Sequence, residues 1–213
     1  MSFGNVLIFG DSYSTFEAWI PEGNASYYPP TTESRPMIDD VKDTWWHSLI
    51  TETNSNLVLN ESWSGSTVGY TGYDGEDTSK TSSFITRLNK MRAENFFKKN
   101  KIDTVFVFGA TNDSWADAPV GKLKFENIKE ADLYYVLPAI SFFLENLKRL
   151  LPSSRIIYII NTDLKDEITD GIKAACNHYS IESLSLYDID KKSDHPTVLG
   201  MKQIKEEVLK ILI

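Results

Sequence analysis

The residues best placed for chemistry begin at Ser12. Asn5 to Gly10 is a mostly apolar run closed by the Gly10-Asp11 turn pair, and Ser12 follows at once. An apolar run of this length bounded by a turn reads as a buried parallel strand. Ligands of open α/β sheets bind just beyond the carboxyl ends of such strands, so a hydroxyl there stands where a nucleophile would act. A serine hydroxyl needs a base to take its proton, and the chain carries 3 histidines. His195 is the candidate, because imidazole titrates near neutrality and Asp194-His195-Pro196 follows the last strand-like run and opens the final helical segment. His47, within Trp45-Trp46-His47, falls on a helix, and His178 beside Tyr179 reads as a surface residue near a helix end. Two more polar segments leave strand ends, Asn60 to Thr67 and Phe108 to Asp113. Each feature alone has an ordinary counterpart: a chance Gly-Asp-Ser tripeptide, a turn glycine at 65, a helix cap at Asn112, a solvated His195 beside a rigid proline.

The elements that must position these residues alternate along the chain. Strand-like runs fall at Val6 to Phe9, Leu57 to Leu59, Thr104 to Phe108, Ile156 to Ile160 and Ile181 to Leu186. Helical spacing of apolar residues marks Asp43 to Thr53, Phe84 to Met91, Leu133 to Leu151, Lys165 to Tyr179 and Thr197 to Ile213, with a bend or restart expected at Pro138. The alternation predicts one domain over residues 1–213, a mostly parallel sheet with helices on both faces. Glu17 to Asp40 and Gly65 to Lys80 are too long and polar for plain connections, and both leave the carboxyl ends of strands. They are expected to wall the site around Ser12.

Four blocks now stand in order: Gly10-Asp11-Ser12, Gly65, Gly109-Ala110-Thr111-Asn112-Asp113, and His195-Pro196. In these the chain resembles the SGNH, or GDSL, hydrolase superfamily over nearly its whole length. The resemblance implies an α/β fold, a three-layer α/β/α sandwich on a flavodoxin-like five-stranded parallel sheet. It implies a serine esterase or acylhydrolase with Ser12 as nucleophile and His195 as base. The backbone N–H groups of Ser12 and Gly65 and the side-chain amide of Asn112 would receive the charge that develops on the former carbonyl oxygen, a task for preorganised donors. Glycine at 65 suits it, since no Cβ blocks the approach of ligand to backbone. One position departs: the superfamily commonly carries an aspartate three residues before the histidine, and here that residue is Lys192. An orienting carboxylate fixes the imidazole tautomer and stabilises the imidazolium. Asp188, Asp190 and Asp194 remain; Asp194 adjoins His195, and neighbouring side chains in extended backbone point apart. Asp190 is expected as the third member, with a Ser-His dyad oriented by a backbone carbonyl as the other possibility.

Aromatic residues crowd the blocks. Trp63 and Trp115 are expected as pocket walls, with Tyr70 and Asp11 as further substrate contacts, whereas Trp46 at helical spacing reads as core. Flat rings beside polar loops suit a sugar or a small acyl group, and no long apolar surface helix offers a lipid-facing lid. The expected substrate is a small-molecule or carbohydrate ester carrying acetyl or another short acyl group; a noncatalytic carbohydrate-binding protein on the same scaffold is the competing reading. A phosphate or nucleotide site is disfavoured, because the Gly10 turn lacks the glycine spacing and lysine of a phosphate loop and Asp11 would repel the anion. Asp74-Gly-Glu76-Asp77 does not match a calcium loop, so no metal or cofactor is expected. The net charge of -8 opposes nucleic acid and anionic membrane surfaces, and no apolar stretch reaches the roughly 20 residues of a membrane span. A single cysteine excludes an internal disulfide. With no charged-then-apolar leader, a cytoplasmic setting is expected.

Overall fold

The computed structural model describes residues 2–212. Strands β1 (Asn5–Gly10), β2 (Asn56–Ser62), β3 (Thr104–Phe108), β4 (Arg155–Ile160) and β5 (Glu182–Ser185) form one parallel sheet in the order β2-β1-β3-β4-β5. The helices are α1 (Trp45–Glu52), α2 (Phe84–Ala93), α3 (Phe96–Lys99), α4 (Thr111–Trp115), α5 (Val136–Leu150), α6 (Asp166–His178) and α7 (Val198–Lys210). This is the flavodoxin-like strand order. Strand period dictates which side chains face which layer. Val6, Ile8, Phe106, Phe108, Ile157 and Ile159 pack with residues of α1 and α7, while Leu7, Phe9, Val105, Val107 and Tyr158 pack with α2, α5 and α6. Central strands buried on both faces must be apolar throughout, which is why the runs are legible in the sequence.

From β1 the chain lays β2 on one side and β3 on the other, so the strand order reverses at β1 and β3. A crevice opens beyond their carboxyl ends at such a switch point, and Ser12 follows β1 as Asn112 follows β3.

Local departures from the sequence reading have local causes. Pro138 lies in the first turn of α5, where the missing N–H has no intrahelical partner to lose, so the helix neither bends nor restarts there. A separate 3-10 turn at Glu130–Tyr134 precedes it. The short α3 lacks the length for a periodic signal. Beyond β5, β6 (Lys191–Lys192) and β7 (His195–Pro196) pair antiparallel, Lys192 opposite His195, around Ser193 and Asp194. Both turn residues are left-handed, with φ of 49° and 61°, the backbone of a two-residue type I′ hairpin.

Among the described residues no helix is long and apolar enough to cross a membrane, and no group of three or more histidine, cysteine or acidic side chains is disposed to hold a metal ion. The fully buried Tyr158 hydroxyl has no hydrogen-bond partner among them. Tyr158→Phe removes that unsatisfied group and is expected to stabilise the fold by about 1 kcal/mol, read as a higher urea midpoint at unchanged slope.

Candidate active site

A 3-10 turn at Ser12–Ser14 carries the serine, and Asp11 caps it: Asp11 Oδ1 accepts from the backbone N–H of Tyr13 at 3.0 Å. The turn is tied to β3 by Asp11 N–H donating to the Phe108 carbonyl at 3.2 Å. Ser12 Oγ lies 2.9 Å from His195 Nε2, and His195 Nδ1 lies 3.0 Å from the Ser193 carbonyl. A carbonyl oxygen only accepts, so Nδ1 carries the proton. In the neutral imidazole Nε2 is then the lone-pair nitrogen and accepts from the Ser12 hydroxyl.

His195 is held by rings as well as by hydrogen bonds. It stacks on Tyr27 with centroids 3.7 Å apart and planes 5° apart, and Trp115 meets it edge-on at 5.5 Å. Tyr13 closes a third side at 5.4 Å. Burial holds the imidazole below its ordinary pKa, and the positive charges of Arg35 and Lys191 push the same way against the Ser193 carbonyl and Asp194.

After β2, Gly65 adopts φ 81°, and nothing lies within 4 Å of where a Cβ would stand. The space on that side of its Cα is open. Asn112 is buried; its Nδ2 donates to the Ser66 carbonyl at 3.0 Å, and its Oδ1 accepts from the Tyr73 hydroxyl at 2.8 Å. These partners fix which way the amide points and leave one N–H of Nδ2 for a ligand. The segment after Gly65 is pinned from below. Asp113 accepts from Val68 N–H at 2.9 Å and from Gly69 N–H at 3.3 Å. Buried Arg87 donates through Nη2 to Ser66 Oγ at 3.1 Å and to the Gly10 carbonyl at 3.3 Å, and pairs with Glu61 at 3.8 Å. Burial pushes the Asp11 carboxyl up to about 7 and that of Asp113 up to about 6.

Of the residues proposed from sequence, Ser12, His195, Gly65, Asn112 and Trp115 lie along one sheet edge. The others do not act as expected. Asp190 is turned away from the imidazole: its carboxylate accepts from the Thr197 hydroxyl, and its N–H donates to Gln203 at 2.7 Å. The tight Ser193-Asp194 turn sets Lys192, not Asp190, across from His195, so Asp190 ends up at the start of α7. Lys192 itself donates to the Glu33 carbonyl at 2.7 Å. Asp11 is fully buried and serves the turn, so it is no substrate contact. Tyr70 is also buried, packed edge-on against Tyr134 at 5.5 Å in the core beneath α5. Trp63 lines a different cleft of about 640 Å³ with Leu59, Met91 and Phe96 at the β2 edge.

Sequence reasoning missed Tyr27, Arg87 and the anchoring role of Tyr73. Arg87 carried a signal, a cation among Phe84, Ile85 and Leu88 on the buried face of α2. Tyr27 carried none, since a loop tyrosine gains meaning only when residue 195 is brought beneath it. The loop of residues 17–40 does wall the site through Tyr27. It also encloses a polar cavity of about 690 Å³ lined by Glu17, Asn24, Ser26, Thr31 and Arg35 among others.

A hydroxyl bonded to a neutral imidazole at the switch point of a parallel sheet defines the class as an esterase-type hydrolase of α/β/α form. The chain belongs to the GDSL-like lipase/acylhydrolase family, whose family model matches residues 4–212. It is similar to a protein from Bacteroides ovatus ATCC 8483 described as a GDSL-like lipase, at 40% identity and a TM-score of 0.89, covering 100% of this chain and 99% of that one. A protein of the same description from Bacteroides uniformis ATCC 8492 is also 40% identical, with a TM-score of 0.90 over 98% of this chain and 95% of that one. An acetyl xylan esterase from the rumen bacterium Butyrivibrio proteoclasticus shares the fold at 17% identity and a TM-score of 0.62, covering 100% of this chain and 64% of that one. No curated protein matches the chain.

Proposed function

We propose that the protein removes acetyl or another short acyl group from a carbohydrate through an acyl-enzyme on Ser12. The observation that carries this reading is the 2.9 Å contact of Ser12 Oγ with Nε2 of His195, the nitrogen that is free of a proton in the neutral ring because Nδ1 faces the Ser193 carbonyl. In the first half-reaction Nε2 takes the hydroxyl proton as Oγ attacks the ester carbonyl. The oxyanion that forms is received by the backbone N–H groups of Ser12 and Gly65 and by the free N–H of Asn112. Collapse expels the sugar alkoxide, which takes the proton from His195, and water then repeats the sequence on the acyl-enzyme. The fold shared with an acetyl xylan esterase supports a hydroxyl-rich leaving group.

A fluorophosphonate probe tests the nucleophile without presuming the substrate: labelling should map to the peptide containing Ser12, and acetate should be released from acetylated xylo-oligosaccharide. Absence of labelling would favour the noncatalytic binding reading, which the missing carboxylate at His195 keeps in view. Asn112→Ala deletes one donor and is expected to lower kcat about 10² to 10³-fold with little change in KM, measured on p-nitrophenyl acetate.

A further inference from the structure

Among the described residues His195 has no carboxylate partner, yet its ring is held in one orientation, and the backbone on both sides of it ends on a buried phenol. The Tyr13 hydroxyl donates to the Asp194 carbonyl, the acceptor immediately before His195. The Tyr28 hydroxyl donates to the Pro196 carbonyl, immediately after it, at 2.9 Å. Both tyrosines are fully buried, 0% exposed, although one belongs to the Ser12 turn and the other to the long loop of residues 17–40. We propose that Tyr13 and Tyr28 are positioning residues which do through the backbone of the 191–196 hairpin what an aspartate would do through its side chain. The proposal rests on the reading of His195 as the base.

The hairpin needs such a clamp. Its turn residues, Ser193 and Asp194, are both left-handed, a conformation in which the Cβ of an L-residue crowds the following carbonyl oxygen. Ser193 is not among the glycine, asparagine and aspartate that such a turn prefers. A change in the dihedral angles flanking the Asp194–His195 peptide would move Nδ1 away from the Ser193 carbonyl and swing Nε2 off Ser12. The Tyr13 bond fixes that peptide plane, and the Tyr28 bond fixes the next carbonyl but one. Further ties hold the tip of the hairpin to the loop of residues 17–40: Ser193 Oγ donates to the Ser34 carbonyl at 2.9 Å, and Lys192 to that of Glu33. Tyr27, adjacent to Tyr28, adds the stacked ring. Burial holds both phenols above their ordinary pKa, so they remain protonated donors across any working pH.

The test uses Tyr13→Phe, Tyr28→Phe and the double variant, which keep the rings and remove only the donors. On p-nitrophenyl acetate, kcat is expected to fall about tenfold in each single variant and about a hundredfold in the double, with KM within about twofold. Proton NMR reads the same event without turnover: the His195 Nδ1–H signal is expected to be sharp and slowly exchanging in the wild type and to broaden or vanish in the double variant while the circular dichroism spectrum is retained. Tyr158→Phe, which removes a hydroxyl remote from the hairpin, should leave both readings unchanged. Lys192→Asp in the double variant should recover at least about tenfold in kcat, because directly opposed residues of an antiparallel pair project from one face with Cβ atoms about 5 Å apart. A folded double variant that keeps wild-type kcat, or that loses kcat while its Nδ1–H signal stays sharp, overturns the clamp. Should the wild type neither turn over ester nor label with fluorophosphonate, the esterase reading falls, and the NMR signal still decides the clamp.

Discussion

Ser12→Ala is expected to lower kcat on p-nitrophenyl acetate by about 10⁶-fold, the scale on which loss of a serine nucleophile acts elsewhere. The substitution removes an oxygen bonded to His195 and leaves the Asp11 cap, the Tyr13 N–H and the rest of the turn in place. KM and melting temperature should therefore stay near wild type. Fluorophosphonate labelling should disappear in step with activity. A variant retaining more than about one hundredth of wild-type turnover would place the nucleophile elsewhere.

His195→Gln is expected to cost about 10⁴-fold or more in kcat, because glutamine can fill part of the space but cannot take a proton from Oγ. The pH profile separates a base from a spacer. Only neutral imidazole is active, and burial lowers its pKa. The kcat/KM of the wild type should thus rise with pH along a single limb whose midpoint lies below the ordinary histidine value of about 6.5, and be level at neutrality. Lys192→Asp in the otherwise wild-type chain exchanges a positive charge for a negative one across the hairpin pair, which favours imidazolium and should move that midpoint upward. A wild-type midpoint at or above 6.5, or one that Lys192→Asp leaves in place, would show that the limb belongs to another group. The hydroxyls of Tyr13 and Tyr28, the stacked Tyr27 ring and the Ser193 carbonyl supply the orientation a carboxylate gives elsewhere. What they do not supply is its negative charge.

Legibility in the sequence followed the range of the physics involved. The strands could be read because burial on both faces demands unbroken apolar runs, and β3 begins and ends where the pattern does, at Thr104 and Phe108. Ser12, Gly65 and Asn112 could be read because each closely follows a strand of the parallel sheet, and His195 because it shortly precedes the last helix, where chain position and spatial position coincide. Asp190 misled for a related reason. Counting residues to His195 assumes how the intervening chain bends, and a two-residue turn with both φ angles positive is not signalled by Ser193-Asp194.

Composition, strand period and the order of the four blocks are local properties of the chain, and by themselves they determine a parallel α/β/α sandwich with a serine and a histidine at one edge. The environment of each side chain was decided only by folding. Asp11 and Tyr70 went into the interior, Trp63 went to another cleft, and Tyr27 came to lie flat on a histidine 168 positions further along the chain. The orientation of His195 was decided there too. It depends on carbonyls, and a backbone carbonyl is the same in every residue; only the tertiary structure determines which donor finds it.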